Sequence, residues 1–427
     1  MTTTSAAEAE PLDGSSEGPV RIRGALLRLL LWIAPAYFAI FLLWGALPGV
    51  LLSLQIAGLD PDPEHKVANL TVVATVGAIG AMIAQPVAGL LSDRSRTRFG
   101  RRAPWMVGGA TAGGLALLVL GQQTSLLGIA LSWLGVQLAY NFVQGPLSAI
   151  LPDRVPRAVR GTFAATTGLG IMVGVGLGPA VASWFSAAIP TGYAVLAVFV
   201  LLVVLAFVLF NRERSSLGQP AQPFRLWDFL GTFWVNPIAH PDFFWAFTGR
   251  LLLYLGYFGV TTFLLYLLAD YIGLGEAEAS SVAGLLGLFG LPFTITAIVV
   301  SGPLSDLLGR RKVFVFGSSV LIGLALIVPL ALPTVTGMFI MAAALAFGFG
   351  MFQSIDTALM TEVLPNKEAF GKDLGVVNIA ATLPQTLAPA IGGLIILTFG
   401  GYIALFPAGI LFSVLGALAV WPIRSVR

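Results

Sequence analysis

The chain has 427 residues, of which 57% are hydrophobic and only 10% charged, with a formal net charge of +3. Soluble domains carry about 25% charged residues, so a soluble fold of this composition would leave a large apolar surface in water. With no cysteine and two histidines, disulfides, thiolate chemistry and a histidine-rich metal site are excluded. The basic residues stand in small clusters between apolar runs, which argues against a nucleic-acid groove.

Residues 1–24 are polar and rich in Ser, Gly and acidic side chains, without the basic start and apolar run of a signal peptide. They are expected to form a disordered cytoplasmic tail. A helix needs about 20 apolar residues to cross a bilayer, and backbone polar groups without water favour helices there. Twelve such runs are predicted, near 26–54, 68–92, 103–121, 126–151, 161–187, 190–210, 243–268, 279–300, 313–332, 334–362, 374–398 and 401–423. The expectation is an all-α integral membrane protein. It has two six-helix bundles, 25–210 and 242–427, joined by a polar cytoplasmic loop at 211–241 that holds Arg212, Glu213, Arg214 and Arg225. Lysine and arginine set the orientation. With the N-terminus inside, every one falls on the cytoplasmic side except Lys66, outside, and Arg250, within a span. This predicts a multi-pass protein of the plasma membrane with both termini cytoplasmic.

The two halves repeat one another. Gly89-Leu90-Leu91-Ser92-Asp93 corresponds to Gly302-Pro303-Leu304-Ser305-Asp306, and Gly100-Arg101-Arg102 to Gly309-Arg310-Arg311. Further on, Gln144–Pro156 aligns with Gln353–Pro365, which sets Asp153 opposite Glu362. Repeats of this kind mark transporters whose site lies between the halves. The G-x-L-S-D…G-R-R loop after the second span of each half resembles the signature of the major facilitator superfamily. The resemblance implies that fold, with its two pseudo-symmetric bundles. It also implies that Asp93 and Asp306 cap the eleventh and fifth helices, as a carboxylate favours a helix N-terminus. Arg101, Arg102, Arg310 and Arg311 would latch the cytoplasmic gate, with Asp153 and Glu362 in gating or solvated roles. The alternative is that these charges only fix topology and loop shape.

The long loop Asp93–Arg102 and the stretch Asn141-Phe-Val-Gln144-Gly145-Pro146, followed by Ala149-Ile-Leu151-Pro-Asp153, resemble the sucrose–proton symporters. The long loop also resembles the glycoside–pentoside–hexuronide cation symporters. The coupling positions of these groups differ here. Gln137 stands where sucrose symporters have an aspartate in the fourth span, and Ser148 where they have an arginine. Gln85 and Ala81 stand where the cation symporters have two aspartates in the second span.

Two charges lie deep in spans, Arg250 in the seventh and Asp356 in the tenth, at similar depth from the cytoplasmic end. An intramembrane charge costs at least a few kcal/mol and seeks a partner or a cavity, so these two are expected to pair. The pair is a permanent structural one, a pair that opens in the transport cycle or binds substrate, or a proton site with Asp356 as carrier. Substrate-recognising side chains are expected on the four spans that the superfamily resemblance places around a central cavity. They are Tyr37 and Trp44 in the first span and Tyr140, Asn141 and Gln144 in the fourth. The seventh and tenth spans add Tyr254, Tyr257 and Gln353 beside Arg250 and Asp356. Aromatic faces with amides suit sugars, although packing between helices also uses such residues. Gly168, Gly170, Gly174, Gly176, Gly178 and Pro179 crowd the fifth span, and Pro384 and Pro389 interrupt the eleventh. These are bending elements or close-packing positions.

No nucleotide-binding G-x-x-x-x-G-K-[ST] loop occurs, and no Ser–His–Asp set can be assembled from His65 and His240, both expected in loops. The chain reads as a non-enzymatic, cofactor-free and metal-free monomer in the lipid bilayer. Its expected function is alternating-access transport of a small polar solute, a sugar or glycoside, either proton-coupled or facilitative. The alternatives are a proton-driven exporter of amphiphilic compounds and a non-transporting membrane sensor.

Overall fold

A computed structural model describes residues 22–218, 238–363 and 370–423. The side chains of 157, 357–358, 361–362 and 370–382 lie outside that description, as do most of the N-terminal tail and of the central loop. The described residues form helices and no strand. The first half contains α1 (Ala25–Ala57), α2 (Pro63–Arg94), α3 (Ala103–Leu120), α4 (Leu126–Arg154), α5 (Arg160–Ser183) and α6 (Ile189–Phe210). The second begins with α7 (Pro241–Thr261), which continues after a short break as Leu264–Tyr266 and a π-helical turn, Leu267–Tyr271. It goes on with α8 (Glu276–Leu308), α9 (Arg311–Ala331), α10 (Val335–Glu362), α11 (Phe370–Thr398) and α12 (Leu405–Val420).

Helix starts are written locally. Asp62 accepts from the backbone N–H groups of Glu64 and His65 ahead of Pro63, Ser125 caps α4 and Thr334 caps α10. Gly309, at φ +59°, ends α8 in the left-handed conformation that glycine adopts without strain. His65 therefore sits in the first turn of α2, not in a loop, with its ring 2.7 Å from Asp60. His240 is the residue before α7. Large apolar side chains such as Leu131, Leu202, Val299 and Leu411 remain more than half exposed. This is the surface a multi-pass membrane protein offers to lipid.

Each half packs in the same pattern. α1 lies on α5, α2 on α4, and α3 on α4 and α6; α7 lies on α11, α8 on α10, and α9 on α10 and α12. The halves meet through two related contacts, α2 with α11 and α5 with α8. The glycines of α5 serve these contacts. A Cβ on Gly174 would lie 2.8 Å from the Leu42 nitrogen, and one on Gly178 2.5 Å from the Ala46 nitrogen, so both let α1 approach backbone to backbone. Gly287 on α8 meets the Gly176 carbonyl across the two halves in the same way. Close packing thus accounts for these positions. Gly178→Ala is expected to lower the thermal midpoint in detergent, at a cost of about 1–3 kcal/mol. Gly168→Ala in the same helix, where nothing lies within 4 Å, is expected to leave it unchanged or raise it slightly.

Candidate functional site

The expected site residues lie on α1, α4, α7 and α10. α1 and α4 are spanned by side chains rather than packed backbone. Trp44 Nε1 donates to Gln144 Oε1 at 2.9 Å. The Trp44 ring stands edge-on to Trp133, at 6.4 Å, and to Tyr140, at 6.3 Å. Two expected ligands turn elsewhere. Asn141 is buried and its Nδ2 donates to the Gln137 carbonyl one turn back. Tyr140 is buried against α3, where Gly113 leaves room for its ring. Tyr37 is also buried and stacks on Phe41 in its own helix.

In the second half, Arg250 and Asp356 meet. Arg250 Nε lies 3.1 Å from Asp356 Oδ2, and the two residues are 6% and 2% exposed. The guanidinium also lies 5.5 Å from the centre of the Tyr254 ring. The Tyr254 hydroxyl donates to Gln353 Oε1 at 2.8 Å. Tyr257 stacks on Phe349 at 4.1 Å, and Phe258 and Phe352 stand edge-on to Tyr254. Among the described residues Asp356 is the one buried carboxylate. Its charge is matched by Arg250, so the site as a whole is neutral, aromatic and amide-lined.

The basic loops gather at one end of the bundle. Arg102 bonds Asp93 at 2.6 Å and Asp153 at 2.7 Å, and Arg101 reaches the same Asp153 oxygen at 2.9 Å. Glu213, from the start of the central loop, accepts from the Arg102 backbone N–H at 2.9 Å and caps α3. Ser216 ties the same segment to Thr97. Asp306 pairs with Arg311 at 3.0 Å, while Arg310 is exposed. Among the described residues the partners of Asp93 and Asp306 thus lie in their own halves, and no bond joins Asp306 to the start of α5. The start of α11 and the side chain of Glu362 lie outside the described residues. Arg160, the first residue of α5, instead donates to the carbonyls of Val155 and Pro152.

The opposite end holds a network that the sequence reading missed. Lys66, only 4% exposed, donates to Asp270 Oδ1 at 2.7 Å across the two halves. Asp270 Oδ2 accepts from the Tyr402 hydroxyl at 2.6 Å. The Tyr266 hydroxyl donates to the Ser53 carbonyl at 2.9 Å, again between halves, and Lys66 sits 5.0 Å from the Tyr266 ring centre. The available signal was the isolation of Lys66 from every other basic residue.

Residues 66–420 match the family model described as MFS/sugar transport protein. The chain belongs to this family. Within the MFS/sugar transport proteins, a stretch of 151 residues is 26% identical to the sucrose transport protein SUC4 of Arabidopsis thaliana, covering 30% of each chain. A second stretch of 95 residues is 34% identical to an uncharacterized symporter of Synechocystis, covering 19% of this chain and 17% of that one. These matches span less than a third of either relative. Among solved structures, a D-xylose–proton symporter aligns with a TM-score of 0.70 at 14% identity, covering 94% of this chain and 98% of that one. The nucleoside transporter NupG aligns with a TM-score of 0.70 at 16% identity, covering 92% and 99%. Both show the fold: twelve helices in two pseudo-symmetric bundles of the major facilitator type. The chain is a multi-pass membrane protein of this family.

Proposed function

We propose that this family member carries a neutral, polyhydroxylated solute, a sugar or glycoside, by alternating access and in symport with protons. The observation that carries this reading is the central site itself. Its aromatic rings and amides offer stacking faces and hydrogen bonds, and the one buried acid among the described residues is matched by Arg250. A neutral site of this kind favours an uncharged ligand, because a charged one would be desolvated without a counter-charge. The sucrose transporter among the relatives supports the same class. Gln137, Gln85 and Ala81 remove the carboxylates that related symporters use, which leaves Asp356 as the proton-carrying candidate.

The positive-inside rule supports a cytoplasmic position for the basic end and both termini in a plasma membrane. The Lys66 end then faces outward. The cross-half bonds at that end close it, and Gln353 stays open to solvent in the centre. The arrangement is that of an inward-facing carrier. Asp153, Arg101 and Arg102, with Asp93, Asp306 and Arg311, form its cytoplasmic gate charges.

Uptake of labelled sucrose, maltose, glucose and xylose into proteoliposomes, with and without an inward proton gradient, tests the reading. The expected result is gradient-stimulated uptake of at least one sugar. Gradient-insensitive uptake would remove the proton from the proposal. Uptake of none of them, together with efflux of an amphiphilic dye, would replace it by an exporter, a role the Phe258–Phe349–Phe352 cluster could serve.

A further inference from the structure

The two halves carry the same device. Gln144 and Gln353 are equivalent positions of the internal repeat. Each gives its amide oxygen to an aromatic donor on the first helix of its own half: Trp44 on α1 and Tyr254 on α7. These two aromatics stand within one residue of the same repeat spacing.

Chemistry orients the first amide. An indole N–H donates and cannot accept, so the atom of Gln144 facing Trp44 is the carbonyl oxygen. Its NH2 group then points away from Trp44. The Tyr254 hydroxyl, which can donate or accept, donates here to the Gln353 carbonyl oxygen and leaves its NH2 group turned away. Among the described residues neither Nε2 has a hydrogen-bond partner, and neither is among the buried unpaired atoms. Gln353 is exposed and Gln144 half-buried. The amide donors are therefore open to whatever enters between the halves.

We propose that Trp44 and Tyr254 are positioning residues that hold Gln144 and Gln353 with their N–H groups turned inward, so that the site selects neutral solutes carrying acceptor oxygens on two opposite faces. The class of solute rests on the function proposed above; the orientation of the amides does not. A solute held by both donors bridges the two halves, which ties its binding to their relative movement. Trp44→Phe and Tyr254→Phe keep the ring and remove the donor, which frees the amide to rotate and present its oxygen.

Deoxy and deoxyfluoro sugars separate these cases. A C–F group accepts a hydrogen bond weakly and donates none, whereas a deoxy position does neither. A hydroxyl read by a fixed N–H donor therefore tolerates fluorine better than hydrogen, and one read by a rotating amide does not. Sucrose and its monodeoxy and monodeoxyfluoro analogues would be presented to the full chain and both variants in proteoliposomes. In the wild type, at two hydroxyl positions, the expected KM of the fluoro analogue lies about three- to tenfold below that of the deoxy analogue, as expected for one neutral hydrogen bond. Trp44→Phe should bring that ratio to about one at one position and Tyr254→Phe at the other. The same ratios in the wild type and both variants would overturn the proposal.

The indole ¹H–¹⁵N resonance of Trp44, assigned with Trp44→Phe, gives a second readout in detergent-solubilised protein. It should move in Gln144→Leu, where its acceptor is gone; an unmoved resonance would overturn the amide lock. If no sugar is carried, the sugar reading falls and this resonance alone decides the lock.

Discussion

Asp356→Leu is expected to cost about 3–5 kcal/mol of stability, because it leaves the Arg250 guanidinium charged and without its counter-ion in a buried setting. Arg250→Met strands Asp356 and should cost about as much. The double variant Arg250→Met/Asp356→Leu removes both charges together and is expected to recover most of the wild-type thermal midpoint. Such recovery follows from the weakness of buried pairs as net stabilisers: their attraction is largely spent on desolvation. This pair is also under-bonded. Arg250 Nη1 is buried without a hydrogen-bond partner among the described residues, and the Nε–Oδ2 contact lacks hydrogen-bond alignment. A pair kept only for stability would gain by satisfying those atoms. The expected transport phenotype is accordingly specific. The double variant should equilibrate sugar across the membrane and fail to accumulate it against a proton gradient. Thermal unfolding in detergent and gradient-driven uptake check the two halves of this expectation. A double variant that accumulates sugar like the wild type would reduce Arg250 and Asp356 to a structural pair.

Lys66→Glu is expected to open the face we assign to the outside. The substitution sets a carboxylate against Asp270, whose other oxygen is already bonded to Tyr402. Two like charges there, with Lys66 at 4% exposure and the Asp270 side chain at 22%, should cost the closed state about 2–3 kcal/mol after allowance for solvent. That is roughly a hundredfold in population. The absence of cysteine in the chain provides a clean reporter. Ser53→Cys lies in a fully buried position whose carbonyl holds Tyr266 of the other half. Labelling of that single cysteine by a membrane-impermeant maleimide should accelerate by one to two orders of magnitude in Lys66→Glu. The reversed pair Lys66→Glu/Asp270→Lys should bring it back toward the wild-type rate. Unchanged labelling in Lys66→Glu would show that this network does not hold the face closed.

Much of the architecture is legible in one dimension. Each apolar run of about 20 residues had to become a helix, because a backbone without water must bond to itself. The repeated G-x-L-S-D loops marked the two halves. Arg250 and Asp356 could be paired in advance because a charge at depth has few partners, and these two shared a level. What the sequence could not state was rotation. A membrane helix is apolar all round, so its pattern carries no mark of which face turns inward. Tyr140, Asn141 and Gln144 lie within five consecutive residues of α4. Only the packed helix sends Tyr140 into α3, returns the Asn141 amide to its own backbone and leaves Gln144 to meet Trp44. The Lys66–Asp270–Tyr402 bond is hidden for a related reason. Its members come from three separate chain segments in two halves, and no local periodicity encodes a contact that forms when the halves close. The sequence by itself determined the twelve helices, their pairing as repeats and the neutral, amide-rich character of the centre. The tertiary structure alone decided which amides meet aromatic donors on neighbouring helices and which charges pair between the halves, because both depend on how whole helices rotate and dock.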